Sequence, residues 1–493
     1  MHIGIIGAGL AGLSAALHLT GAGHRVTVVE RDEQPGGRAG TTTARSADGR
    51  AHLVDPGASV LTMPELVFDA LTAGGLTRAD AESELDLLPV RPAYAGRFPA
   101  LPGHDRPSVL HVPDDIDTPE HFAWQRAMFD AAYPRFIAGD AALRSYANPR
   151  DLAALGRIIR LGALNSMQRE VDRRVGDERA RRMLTFQALY AGVSPTAARA
   201  VYAVISHMDV GLGVWYPRAG MGRITEVMAE QVRRAGGTVL LGHEVLGLDG
   251  RRGRVTGLRA RSGSAGGPER TERLAFDAVV VTADAPVADR LLAPLGARPP
   301  RRRVRLSPSA VVAHLVVDPD LQQHWPTQAH HTLDFGAAWE RTFAEITATR
   351  GRGRLMSDPS FLITRPAITT GESGPVSVLA PCPNLESAPL DWDSIGDEYV
   401  HGVLGALAAR GYRGIDRAEV LRIDTPADWA RQGLSAGTPF AAAHTLTQTG
   451  PLRRPQRVPG IGNAVLAGSL THPGVGVPPA LISGRLAAEA VTG

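Results

Sequence analysis

The chain opens on an apolar run, His2-Ile3-Gly4-Ile5-Ile6, of the kind a strand buried on both faces requires. A glycine-rich hexad follows, then helical spacing over residues 13–20, then a second apolar run, Arg25-Val26-Thr27-Val28-Val29. Strand, turn, helix and strand in that order begin a parallel α/β unit. The pattern changes near Leu76. Short runs over 76–112 are broken by Pro89, Pro92, Pro99 and Pro102, which predicts strands and turns without a helix. Residues 119–208 read as mainly helical. Within them Leu152, Leu155, Ile159, Gly162 and Ala163 recur at helical spacing. Arg157, Arg160, Arg169, Arg173 and Arg174 fringe the polar side. That pattern suits either a solvated helix over a core or a helix lying on an anionic bilayer.

Beyond Met221 the alternation of strand and helix returns. Ile224, Val227, Met228 and Val232 mark one helix face, which Gly236-Gly237 stop. Strands are expected at 238–241 and 243–248, a hairpin over 251–261, and a buried strand at 277–282. Residues 298–305 read as a linker, and 309–379 as strands of an antiparallel sheet. Helices return at 392–410 and near Trp429. The stretch GSLTHPGVGVPPALISGR, from Gly468 to Arg485, then repeats the opening grammar of a glycine-rich turn followed by a helix.

The first turn is Gly7-Ala8-Gly9-Leu10-Ala11-Gly12, a GxGxxG placed between a strand and a helix. Its first glycine permits the tight turn, its second lets a pyrophosphate approach the backbone, and its third lets helix and strand pack closely. The helix that follows points unpaired N–H groups at the phosphates. Glu30 ends the second strand 18 residues past Gly12, where a ribose hydroxyl needs an acceptor. This context makes the turn a dinucleotide site. Arg31 and the run Gly36-Gly37-Arg38 extend it with further N–H groups and a cation for a second phosphate. No second strand–GxGxxG–helix unit occurs, so no separate nicotinamide domain is expected.

Length and composition narrow the class. The 493 residues suffice for two or three domains, and 44% hydrophobic with 21% charged residues is ordinary for a globular protein. All 53 basic residues are arginine, against 50 acidic ones, for a net charge of +3. Without an aromatic-interleaved basic stretch, nucleic acid is not an expected partner. Cys382 is the only cysteine, so no intrachain disulfide forms, which fits a reducing cytoplasm. Residues 3–23 and 458–484 lack Asp, Glu and Arg, but glycines and prolines interrupt them. Neither a transmembrane helix nor export is expected.

Several landmarks, in order, resemble the bacterial-type phytoene desaturases of the flavin amine oxidoreductase superfamily. They are GAGLAGLSAALHL, ER…PGGRAG, DPGASVLTMP, WYPRAGM, VVVTADAP, HHT, LAPCPNL and GSLTHPGVGVPP. The resemblance implies an α/β fold with a discontinuous Rossmann-type FAD-binding domain in segments 1–75, 218–297 and 441–493. It also implies an α+β substrate domain, 76–217 and 298–440, with an antiparallel sheet and a helical membrane-facing region. The cofactor would be FAD. Its binding residues would be Gly7, Gly9, Leu10, Ala11, Gly12, Glu30, Arg31, Gly36, Gly37, Arg38, Gly57, Ala58, Ser59, Val245, Ala283, Asp284, Gly468, Ser469, Gly476 and Val477. The second glycine turn would lie at the flavin ring, with the helix that begins at Pro478-Pro479 pointing its positive end there.

The implied reaction removes hydrogens from a C40 polyene such as phytoene, with hydride transfer to flavin N5 and electrons passing on to oxygen or a quinone. An apolar substrate implies a peripheral contact with an anionic membrane surface, on the cytoplasmic face. Candidate catalytic residues are the Arg150-Asp151 pair, otherwise a helix cap, and His472, otherwise a turn residue. His330-His331 would point to opposite strand faces and could not easily share a metal ion, so no metal site is expected. Three other readings stay open: a non-redox carotenoid isomerase, a flavin amine oxidase, and a non-catalytic prenyl- or lipid-binding escort.

Overall fold

A computed structural model describes residues 1–101, 103–139, 148–263, 270–298 and 303–493. Pro102 and part of the expected 298–305 linker lie outside the described residues.

The opening strand His2–Ile6 is the centre of a five-stranded parallel sheet. Ala278–Val281 and then Ala464–Leu466 lie on one side of it, Arg25–Val29 and then Thr238–Leu240 on the other. Ile3, Ile5, Val28, Val279 and Val280 are fully buried, as the uninterrupted apolar runs require. Three stretches far apart in sequence therefore build one sheet. Leu10–Gly21 covers one face together with Gly222–Arg234 and the last helix, Val477–Thr492. First and last helices meet closely: Ser14 Oγ donates to the Leu481 carbonyl at 2.8 Å. At Gly484 a Cβ would stand 2.3 Å from the Ala11 carbonyl oxygen, so only glycine permits this approach.

The second layer is a seven-stranded mixed sheet. Its order is Glu419–Asp424, Ser309–Val316, Val376–Cys382, Phe361–Thr364, His331–Asp334, Tyr94–Phe98 and Ser108–Val112. It is not purely antiparallel as expected, because His331–Asp334 pairs parallel to Tyr94–Phe98. Nor is it confined to residues beyond 309, since 94–112 supply two strands. The stretch 76–112 also contains a helix, Arg78–Leu85, which ends before the first proline. Thr77 caps it by accepting the Asp80 N–H. His330 and His331 do not diverge: His331 opens its strand, His330 precedes it, and their rings lie 4.4 Å apart. Their Nδ1 atoms bond Thr369 and Thr364, at 2.7 and 3.2 Å.

The helical region contains Pro119–Ala132, Pro149–Arg160, Met167–Asp172 and Glu178–Met183. Of the positions read as one apolar face, Leu152, Leu155 and Ile159 lie on Pro149–Arg160, whereas Gly162 and Ala163 fall in the turn beyond it. On Pro149–Arg160 the buried apolar residue is Ile158, while Leu152 and Ile159 are 54% and 48% exposed. Among the described residues, no helix is long and apolar enough to cross a membrane.

Candidate functional site

A cavity of about 1630 Å³ is lined by residues of both sheets. At one end it is walled by Gly7, Gly9, Leu10, Ala11, Glu30, Arg31 and Val245. Gly36, Gly37, Arg38, Gly57, Ala58, Ser59, Ala283 and Asp284 continue the wall to Gly468, Ser469, Gly476 and Val477. The two glycine-rich turns thus border the same space. Gly12 does not line it. A Cβ there would come 2.0 Å from the Gly7 carbonyl oxygen, so Gly12 serves the packing of helix on strand.

Local geometry at the first turn suits a pyrophosphate. Gly7 has φ +107°, in the left-handed region that favours glycine. Gly9 caps the first helix in extended backbone, φ −82°, and a Cβ there would meet nothing nearer than the Gly36 carbonyl oxygen at 3.7 Å. The space above Gly9 is therefore left open by the protein. Glu30 is buried, and its carboxylate accepts the Ala8 N–H at 2.6 Å and the Asp32 N–H at 3.0 Å. Burial pushes its carboxyl above the usual range while those N–H groups pull the other way. Its place at the end of the second strand leaves it poised to accept ribose hydroxyls as well.

Arg38 bridges the chain's distant parts. Its guanidinium donates to the Pro439 carbonyl at 2.9 Å and to Ser469 Oγ at 2.6 Å. Asp284 caps the Ala285–Leu292 helix and also accepts from Ser435 Oγ at 2.5 Å. Arg31 reaches the Gln432 carbonyl at 2.9 Å.

At the second turn, the buried Arg453 guanidinium donates to the Ser469 carbonyl at 2.7 Å and the Thr471 carbonyl at 3.1 Å. Gln456 donates to the His472 carbonyl at 2.8 Å. These bonds fix the loop that leads into the last helix. Burial lowers the Arg453 pKa to about 10. The helix begins at Val477 rather than at Pro478. Because Pro478 and Pro479 carry no N–H, Val477 is the sole donor among the first three helical residues. A flavin ring edge would meet one aligned N–H together with the positive end of the helix. Open glycine, buried acid, bridging arginine and helix terminus together fit FAD.

His472 is buried in the cavity wall, with Nε2 3.1 Å from the Gly139 carbonyl. Arg150 and Asp151 are not in that wall. Arg150 is exposed, and Asp151 is held by Arg135 at 2.5 Å. The pair sits at the start of its helix, where Asn148 accepts the Arg150 N–H.

Beyond the ring position the wall turns apolar, with Val60, Val204, Ile205, Met208, Val312, Leu362 and Leu379. One carboxyl that sequence reasoning passed over, Asp209, stands in this part of the wall beside Tyr190. It is the only charged residue between Val201 and Trp215, and that isolation was the available signal. Ile159, Leu164, Leu446 and Leu452 line the cavity while remaining 48%, 52%, 53% and 47% exposed, so they form its mouth.

The family model for flavin containing amine oxidoreductases matches residues 10–492. A phytoene dehydrogenase from Streptomyces griseus is 43% identical, covering 100% of this chain and 95% of the relative. A zeta-carotene-forming phytoene desaturase from Myxococcus xanthus is 30% identical, covering 99% and 93%. Among solved structures, an oxidoreductase from Methanosarcina mazei has a TM-score of 0.60 at 16% identity, covering 99% and 100%. Putrescine oxidase bound to putrescine has a TM-score of 0.57 at 16% identity, covering 100% and 99%. Likeness at that identity speaks to the fold.

Proposed function

This chain belongs to the flavin containing amine oxidoreductases, and from that membership we propose that it is an FAD-dependent carotenoid desaturase acting on a C40 polyene. The observation that carries the proposal is the shared cavity: a dinucleotide end built from both glycine turns runs into an apolar chamber with an apolar mouth. Bound FAD supplies a two-electron acceptor that takes a hydride at N5. The chain's own part is to hold both molecules and to exclude water. Gly9, Glu30 and Arg38 would hold the nucleotide and pyrophosphate, and Gly468 to Val477 the ring. Ile205, Met208, Leu362 and Leu379 would keep the polyene in register without offering it a polar partner. The full-length likeness to desaturases disfavours the isomerase, amine oxidase and escort readings.

Purified protein reconstituted with FAD and phytoene in liposomes tests this reading. The expected result is a product two or more hydrogens lighter with absorption at longer wavelength, formed with oxygen or a quinone as acceptor. An unchanged product mass with every acceptor would overturn it.

A peripheral membrane contact, on the cytoplasmic face, belongs to the same reading. A polyene is delivered from lipid, and the exposed Ile159 and Leu164 stand at the cavity mouth, with the exposed Leu152 on the same helix as Ile159. Arg157 and Arg160 are exposed beside them and pair with no carboxylate among the described residues. Each such cation contributes about 1 kcal/mol near an anionic surface. The double variant Arg157→Glu, Arg160→Glu should bind anionic vesicles at least about tenfold more weakly in sedimentation assays. Equal binding by both proteins would remove this contact.

A further inference from the structure

We infer that Asp209 is the base that takes the proton when the polyene is desaturated, an assignment that rests on the desaturase reading. Losing a hydride leaves an allylic cation in the chamber. A second bond must then break: the C–H on the neighbouring carbon gives its electron pair to the new C=C, and its proton passes to a carboxylate oxygen. The substrate loses one hydride and one proton, FAD is reduced by two electrons, and Asp209 becomes the neutral acid. Its proton then leaves to water.

Geometry singles this residue out. Among the described residues, seven carboxyl residues line the cavity: Glu30, Asp32, Glu33, Glu226, Glu244, Asp284 and Asp209. The first six sit on the segments of the dinucleotide-binding domain. Asp209 alone is carried by the helical region and faces the apolar chamber. It lies in a widened turn, His207–Gly211, closed by the Leu212 N–H on the His207 carbonyl at 3.0 Å, a deformation frequent at functional sites. Tyr94, from the sheet, aims its hydroxyl at Asp209 Oδ2 from 3.4 Å. Gln187, within Phe186–Ala188, and Tyr190, just after it, approach from the same side. No arginine or histidine acts on it from these elements, so among the described residues it forms no ion pair that would hold it permanently charged.

Burial raises the Asp209 pKa to about 7, while Tyr94 and Gln187 favour the ionised form. A base is active when deprotonated. Turnover should therefore rise with pH through about 7 and level off above it.

The test uses the FAD-loaded protein in phytoene liposomes. Asp209→Asn should keep its flavin spectrum and its KM within about threefold, lose about 100-fold in kcat, and lose the pH limb. Asp209→Glu should recover part of the rate. Tyr94→Phe removes a bond that favours the anion, so its pH midpoint should move upward. Infrared titration should show one protonated carboxyl band absent from Asp209→Asn. Asp209→Asn turning over at half the wild-type rate or better, or an unmoved midpoint in Tyr94→Phe, overturns the assignment and leaves the desaturase reading intact. A wild-type protein that makes no desaturated product overturns both.

Discussion

Gly9→Val is expected to abolish flavin retention while leaving the apoprotein folded. The two effects separate because of where the new side chain would go. Gly9 has backbone angles that any residue adopts, and a Cβ there meets no atom closer than 3.7 Å. The isolated protein therefore loses little, within about 0.5 kcal/mol. The isopropyl group would instead fill the space reserved for pyrophosphate between Gly9 and Gly36. A clash of about 3 kcal/mol or more lowers FAD affinity by at least about 100-fold. Purification should yield a colourless protein with an unchanged unfolding temperature. A yellow Gly9→Val protein of normal flavin content would show that the cofactor approaches elsewhere.

Gly484→Val should give a larger and less selective loss. Its Cβ would stand 2.3 Å from the Ala11 carbonyl oxygen and 2.7 Å from Ser14 Cβ. The nearest atoms all belong to the first helix, and two of the three are its backbone, which leaves no room to yield. The last helix would have to lift off the first, breaking the bond from Ser14 to the Leu481 carbonyl. That helix also positions Gly476 and Val477, so the ring end of the site would shift away from the pyrophosphate end. Destabilisation of about 3 kcal/mol or more is expected, with loss of FAD. Thermal unfolding and flavin content should both fall. Normal values for either would contradict the close helix contact.

How much of this was legible beforehand depended on how local the physics is. The GxGxxG, Glu30 and Gly36-Gly37-Arg38 are short-range features, in which a tight turn, a helix start and a strand end fix the chemistry within forty residues. The strands of the parallel sheet were legible for the same reason, as continuous apolar runs. Arg78–Leu85 was obscured by prolines that lie beyond its end, although Thr77 and Asp80 supplied a cap signal. Asp209 and Arg453 escaped because their surroundings come from far along the chain. Tyr94, 115 positions away, orients the first, and the Ser469 and Thr471 carbonyls engage the second. The pair Arg150-Asp151 looked chemical in isolation, but Asp151 is engaged by Arg135 and neither residue stands in the cavity wall.

The five-stranded sheet places Ala464–Leu466 beside a strand that itself pairs with the first residues of the chain. During synthesis Leu10–Gly21 emerges long before Val477–Thr492, so the flank that the later helix covers stays open until those residues have been made. An apolar flank left open through so much of synthesis is prone to aggregate. FAD retention should therefore require residues 468–477 to be in place: a chain cut before Gly468 is expected to hold no flavin, whatever riboflavin is supplied.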